Sequence, residues 1–160
     1  MRHQHYTHHS VTCNCGTVEI ETCGPPIMSA ACYCASCKEA GSRLARLPAA
    51  PSILDADGGT EFILYRKDRV RCVKGHQRLE EHRLTPASPT RRVIATCCNS
   101  AMFLDFTSGH WLSIYRNRFT SDTPPPAMRT YSAGFVLKLL KSWVTMGFRR
   151  PKITWAEARP

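Results

Sequence analysis

No stretch of this 160-residue chain approaches the roughly 20 consecutive apolar residues that a membrane-spanning helix needs, so a span is not expected. The opening residues, from Met1 to Ser10, lack the apolar middle of a secretory signal, which predicts a cytoplasmic protein. No internal repeat is visible, nor any helix-turn-helix or RNA-binding signature. Acidic residues are scarce, 12 against 22 basic ones, for a formal net charge of +10. That balance favours an acidic partner: nucleic acid, an anionic surface or an anionic small molecule. Thiolates bound to zinc would offset much of this excess, so charge alone does not select nucleic acid.

What the chain does have is nine cysteines, an odd number that cannot all pair within one molecule. With 42% apolar and 21% charged residues, it can bury a single core without disulfide staples. Without an export signal, the cysteines read as metal ligands or redox groups.

Residues 1–10 hold His3, His5, His8 and His9 and read as a flexible tail, with adventitious zinc or copper binding as the alternative. From Thr12 the alternation of Val18 and Ile20 with Thr17, Glu19 and Glu21 predicts a strand. Gly24-Pro25-Pro26 breaks it. Lys38 to Gly41 predicts one or two helical turns before Pro48, and Asp55 to Gly59 a tight turn. Glu61–Tyr65, Val70–Val73 and Gln77–Leu84 read as short strands. In the segment Arg92 to Phe106, Asn99 suits a turn just after Cys97-Cys98, because Asn tolerates positive φ. Pro124-Pro125-Pro126 marks a linker. Beyond it, Phe135, Leu139, Trp143 and Met146 recur at helical spacing and Gly147 ends the pattern. This amphipathic helix either packs on a core or docks on a membrane surface or partner. The whole predicts a mainly β (α+β) fold: a β domain over residues 11–123, then linker and helix over 124–160.

Zinc takes four ligands in a tetrahedron, and thiolate sulfur suits it. Cys32-x-Cys34-x-x-Cys37 supplies three sulfurs from six residues. Three protein ligands leave one position for water or substrate, as at a catalytic zinc. Cys13-x-Cys15-Gly16 and Cys97-Cys98 form a second group, which would act as a metal staple between distant segments or as buried or redox cysteines. Cys23 and Cys72 stand alone and read as packing residues.

Cys13-Asn14-Cys15-Gly16, then Cys32-Tyr33-Cys34-Ala35-Ser36-Cys37, then a late cysteine cluster resembles the glutathione-dependent formaldehyde-activating enzyme family, which includes centromere-associated members. The resemblance spans about Val11 to Phe106 and implies an Mss4-like zinc-binding β fold with one or two zinc ions. It also implies a structural zinc on Cys13, Cys15 and the late cysteines Cys97 and Cys98, and a substrate-facing, catalytic zinc on Cys32, Cys34 and Cys37. The implied reaction joins formaldehyde and glutathione, a carbon–sulfur lyase activity in reverse.

Where the family has C-x-x-C-G, this chain has Ala95-Thr96-Cys97-Cys98-Asn99, the mark of a divergent branch. Cys97 or Cys98 is left to complete the site, and adjacent residues need an unusual backbone to reach one ion together. No motif nominates a general base; His76, His82 and His110 are candidates by type alone. Lys38, Arg43 and Arg46 could meet the carboxylates of glutathione or form a solvated face. The competing function is a zinc-stabilised binding module for an acidic partner such as DNA, suggested by the charge, Arg149-Arg150 and the centromere-associated relatives.

Overall fold

The computed structural model describes residues 7–120, 128–129 and 133–153. His3, His5 and the triple proline lie outside them. Two β-sheets and two α-helices make up the described part, a mainly β α+β fold.

The chain opens with a hairpin, β1 (His8–Thr12) and β2 (Glu19–Cys23). Strand pairing therefore takes in residues 8–10 of the segment expected as a tail: Ser10 donates from Oγ to Glu19 at 2.8 Å, and His8 lies 3.2 Å from Glu21. After the Gly24-Pro25-Pro26 break come β3 (Met28–Cys32) and α1 (Ala35–Leu44), longer than the one or two turns expected. Then follow β4 (Thr60–Arg66), β5 (Val70–Lys74), β6 (Leu79–His82), β7 (Thr90–Ala95), β8 (Ser100–Phe106) and β9 (Trp111–Tyr115). A parallel pair on β3, β10 (Met128–Arg129), precedes α2 (Ala133–Thr145). The Gln77–Leu84 strand is shorter than expected, because residues 76–78 form a 3-10 turn first.

Strands β1, β2 and β5 form one antiparallel sheet; the other has seven strands in the order β10-β3-β4-β9-β8-β7-β6. Alternation along the central strands builds two cores. Ile63 and Tyr65 of β4, with Leu112 and Ile114 of β9, face the small sheet, meeting Val11, Val18 and Ile20. Phe62 and Leu64 face the opposite side, where Cys37 and Leu44 of α1 pack, joined by Phe135 and Leu139 of α2. Met102 is the extra residue of a bulge in β8, since Val93 pairs Phe103 while Ile94 pairs Ala101.

At the sheet's far end Asp105 is buried between Lys67, 2.8 Å away, and Arg91, 2.9 Å away. Lys67→Met would leave Asp105 with one cation. We expect a loss of about 3 kcal/mol in urea unfolding, near the low end for a broken buried pair because Arg91 remains. Gly75, at φ 74°, closes the β5–β6 connection against the β1–β2 turn; a Cβ there would collide with the Thr17 carbonyl oxygen.

Candidate metal centres

The turn between β1 and β2 carries Cys13 and Cys15. Gly16 takes φ 72° and donates its N–H to the Cys13 carbonyl at 3.0 Å, while Val18 N–H donates to the Cys13 sulfur at 3.2 Å. The turn between β7 and β8 carries Cys97 and Cys98, with Cys98 N–H donating to the Ala95 carbonyl at 3.3 Å and Asn99 at φ 53°. Packing of the two sheets brings these turns together. All four thiol sulfurs lie within 4.8 Å of one another, with Cys13 at 3.6 Å from Cys15 and 3.7 Å from Cys97. A tetrahedron with Zn–S bonds of about 2.3 Å has sulfurs about 3.8 Å apart, so the donor set fits such an ion. Adjacent Cys97 and Cys98 thus both reach the cluster. Ala95 instead ends β7 with its side chain in the core.

Two residues that sequence reasoning passed over hold this cluster. Ser100 Oγ accepts from the Asn14 N–H at 2.9 Å and from buried Arg118 at 3.2 Å. With its lone pairs so used, its proton goes to the Cys98 sulfur, 3.1 Å away. Arg118 brings a positive charge, only 7% exposed, beside thiolates that would carry a net negative charge around a divalent ion. Burial lowers its pKa, and Cys98 and Cys13 push it back up. As free thiols the four would ionise unequally. Hydrogen bonds from Thr17 bring Cys15 down to about 6, and Cys98 is lowered by Ser100 against the effect of burial. Burial and the neighbouring sulfurs of Cys15 and Cys13 push Cys97 up to about 12.

The second cluster sits where β3 runs into α1. Cys32 is the last residue of β3, Cys34 is the N-cap of α1, and Cys37 lies buried in its first turn, donating its N–H to the Cys34 carbonyl at 3.1 Å. Their sulfurs also lie within 4.8 Å of one another, Cys32 and Cys34 at 3.3 Å. A helix N-terminus favours thiolate, as it does any anion. Partial burial opposes ionisation of Cys34, but the Ser36 hydroxyl, 3.2 Å away, and the Cys37 N–H bring it to about 7. Burial raises Cys37, and the charges of Cys32 and Cys34 raise it further. Behind the cluster Arg92, 1% exposed, donates to the Ser36 carbonyl at 3.1 Å. Each cluster therefore has a buried arginine against it.

The two clusters differ in what they face. Cys32, Cys34 and Cys37 line a cavity of about 310 Å³ with Ser36; Phe62, Leu64, Leu104, Phe106 and Trp111 form its walls, and Phe135 and Leu139 of α2 close it. None of the four sulfurs of the other cluster lines it.

The remaining sequence candidates stay apart. His76 lies on an exposed turn, and His82 is on β6, lowered in pKa by burial and nearby Arg92 and Arg43. His110 lies 2.6 Å from Ser142 Oγ and stacks on Trp143, so it seats α2. Arg43 pairs with Glu39 and bonds the Leu84 carbonyl, and Lys38 and Arg46 are exposed outside the cavity. Cys72 bonds the Glu19 and Lys74 carbonyls, and Cys23 lies 3.9 Å from His8; neither joins a cluster.

Thiolate is the form that alkylates, so the free thiols should react in order. With metal kept on the four-cysteine cluster and removed from the other, we expect iodoacetamide at pH 7.5 to label Cys34 first and Cys37 last, read by peptide mass mapping. Equal labelling of Cys34 and Cys37 in such folded protein would contradict these environments.

No family model and no curated protein matches the chain. A solved structure of a Rhodobacter sphaeroides protein, determined as a structural-genomics target, is similar at a TM-score of 0.53 and 16% identity. It covers 76% of this chain and 99% of that one. At that identity the likeness concerns the fold alone, so the comparisons and the geometry together establish a mainly β α+β protein with two cysteine clusters able to hold metal.

Proposed function

We propose that this chain is a zinc protein of the glutathione-dependent formaldehyde-activating type, on an Mss4-like fold, with carbon–sulfur lyase-like chemistry on a thiol adduct. Cys13, Cys15, Cys97 and Cys98 would hold a structural ion, and Cys32, Cys34 and Cys37 the reactive one. The observation that carries the reading is the asymmetry between the clusters: four sulfurs that close a coordination shell, and three that border a cavity. The order of the cysteines along the chain supports it as well.

When bound at the three-cysteine cluster, zinc supplies a Lewis acid that acidifies a thiol or polarises an aldehyde carbonyl. The chain's own residues set the conditions. Cys32, Cys34 and Cys37 provide the donors, Arg92 holds the Ser36 carbonyl between Cys34 and Cys37, and the aromatic walls shield one side of the site from water. In the reaction the thiol sulfur bonds to the aldehyde carbon, the carbonyl π pair moves to oxygen, and the thiol's proton ends there. The reverse breaks the carbon–sulfur bond. The Ser36, Thr90 and Ser113 hydroxyls are wall groups able to relay that proton.

Metal analysis by mass spectrometry should find about two zinc ions per chain, and calorimetry should detect thiol binding to the zinc-loaded protein. Full loading without binding of any thiol would remove the enzyme reading. The second reading, a zinc-stabilised module for an acidic partner such as DNA, draws on the basic run Arg149-Arg150 just past α2. It requires duplex binding that weakens steeply with salt, and absence of binding at low salt would remove it.

A further inference from the structure

We infer that the cavity beside Cys32, Cys34 and Cys37 takes a short apolar thiol, or the aldehyde adduct of one, in place of glutathione. This deepens the proposed function and rests on it. Among the described residues, no Asp, Glu, Lys, Arg or His side chain lines the cavity. Away from the sulfurs, apolar side chains such as Phe62, Leu104, Trp111 and Leu139 make up most of its surface, and the hydroxyls of Ser36, Thr90 and Ser113 are its uncharged polar groups. Glutathione would carry carboxylates and an ammonium group into that surface, where no described side chain pairs them and burial of an unpaired charge is heavily opposed. Lys38, Arg43 and Arg46, the cations nearest in sequence, lie outside it, and Arg43 is already engaged with Glu39. At about 310 Å³ the cavity lies at the small end of ligand pockets. That suits a hexyl-sized or small aromatic chain whose sulfur end reaches the cysteines.

The test is calorimetry and thermal melting of the zinc-loaded full chain with 1-hexanethiol, 1-hexanol and glutathione. Hexanethiol should bind at least tenfold more tightly than glutathione and raise the melting temperature at saturation. Leu139→Gln, and separately Leu104→Gln, should weaken hexanethiol at least tenfold. Glutathione binding as tightly as hexanethiol would overturn this inference and leave the proposed function standing. Hexanol binding as well as hexanethiol would keep the apolar site and remove thiol chemistry. Binding of none of the three would sink both.

A separate observation concerns the outward face of α2. Val136, Leu137, Leu140 and Val144 are 52–65% exposed, and Phe148 just beyond is 61% exposed. Residues 133–153 include five cations, Lys138, Lys141, Arg149, Arg150 and Lys152, and no acid. We propose that this face lies on an anionic lipid surface. Exposed aliphatics give nothing to a phosphate backbone, whereas a second copy would oppose like charges; an apolar stripe flanked by cations fits the lipid interface. Vesicles of phosphatidylcholine with 30% phosphatidylserine, a composition of about physiological charge, should sediment with the protein, and pure phosphatidylcholine should not. Leu137→Ser with Leu140→Ser should reduce binding at least tenfold. Failure to bind at low salt, or a stable dimer in which those leucines are protected, would overturn the proposal.

Discussion

Cys13→Ser should release one metal ion and leave the protein unfolded or nearly so at 25 °C. Cys13 is buried at the junction of the two sheets, and its sulfur lies against Cys15, Cys97 and the Val18 N–H. The cluster ties the β1–β2 turn to a turn 84 residues later, so a bound ion stabilises only the folded state. Apparent binding free energies for structural zinc reach about 10–16 kcal/mol, comparable with a whole domain's stability of about 5–15 kcal/mol. Loss of one donor also leaves Arg118 buried beside fewer negative sulfurs. Circular dichroism melting with metal analysis on the same sample decides the matter. A variant that keeps its metal and melts within a few degrees of the parent would show that the four sulfurs are not a staple. Cys23→Ser, outside both clusters, is the control expected to change neither reading. Because protons compete with metal for the thiolates, the parent's metal-dependent stability should fall as pH is lowered.

Cys34→Ser is expected to act on ligand binding and turnover far more than on folding. Cys34 is exposed at the N-cap of α1, and serine is itself a favoured N-cap, so the helix start survives the change. The three-cysteine cluster, however, keeps only Cys32 and Cys37, too few to hold zinc firmly. Metal content should drop from about two ions to about one, and thiol binding should fall at least about 100-fold, beyond the 10–100-fold typical of outer-shell changes. The melting temperature should move by only a few degrees, in contrast to Cys13→Ser. If thiol binding persisted at the parent level, the chemistry would lie elsewhere than at this cluster.

Chelating motifs are short-range, and this is why much of the site was legible. Cys13-x-Cys15-Gly16 and Cys32-x-Cys34-x-x-Cys37 bring their sulfurs together within single turns, so spacing alone grouped them. The helical spacing of Phe135, Leu139, Trp143 and Met146 likewise gave α2, which packs inward on that face. Strands were harder. Trp111–Tyr115 and Met28–Cys32 were missed because strands buried on both faces show no polar alternation. His8 to Ser10 read as tail because strand formation there depends on pairing with β2.

By itself, the sequence determined a mainly β chain with too many cysteines for disulfides alone and two local sulfur sets of metal-ligand spacing. The tertiary structure decided what spacing could not. It brought both Cys97 and Cys98 to Cys13 and Cys15, set Arg118 and Arg92 behind the clusters, and placed a cavity beside the three-cysteine set. These are contacts between residues far apart along the chain. Which strand lies beside which is fixed by burying the two cores together, and no local pattern encodes that.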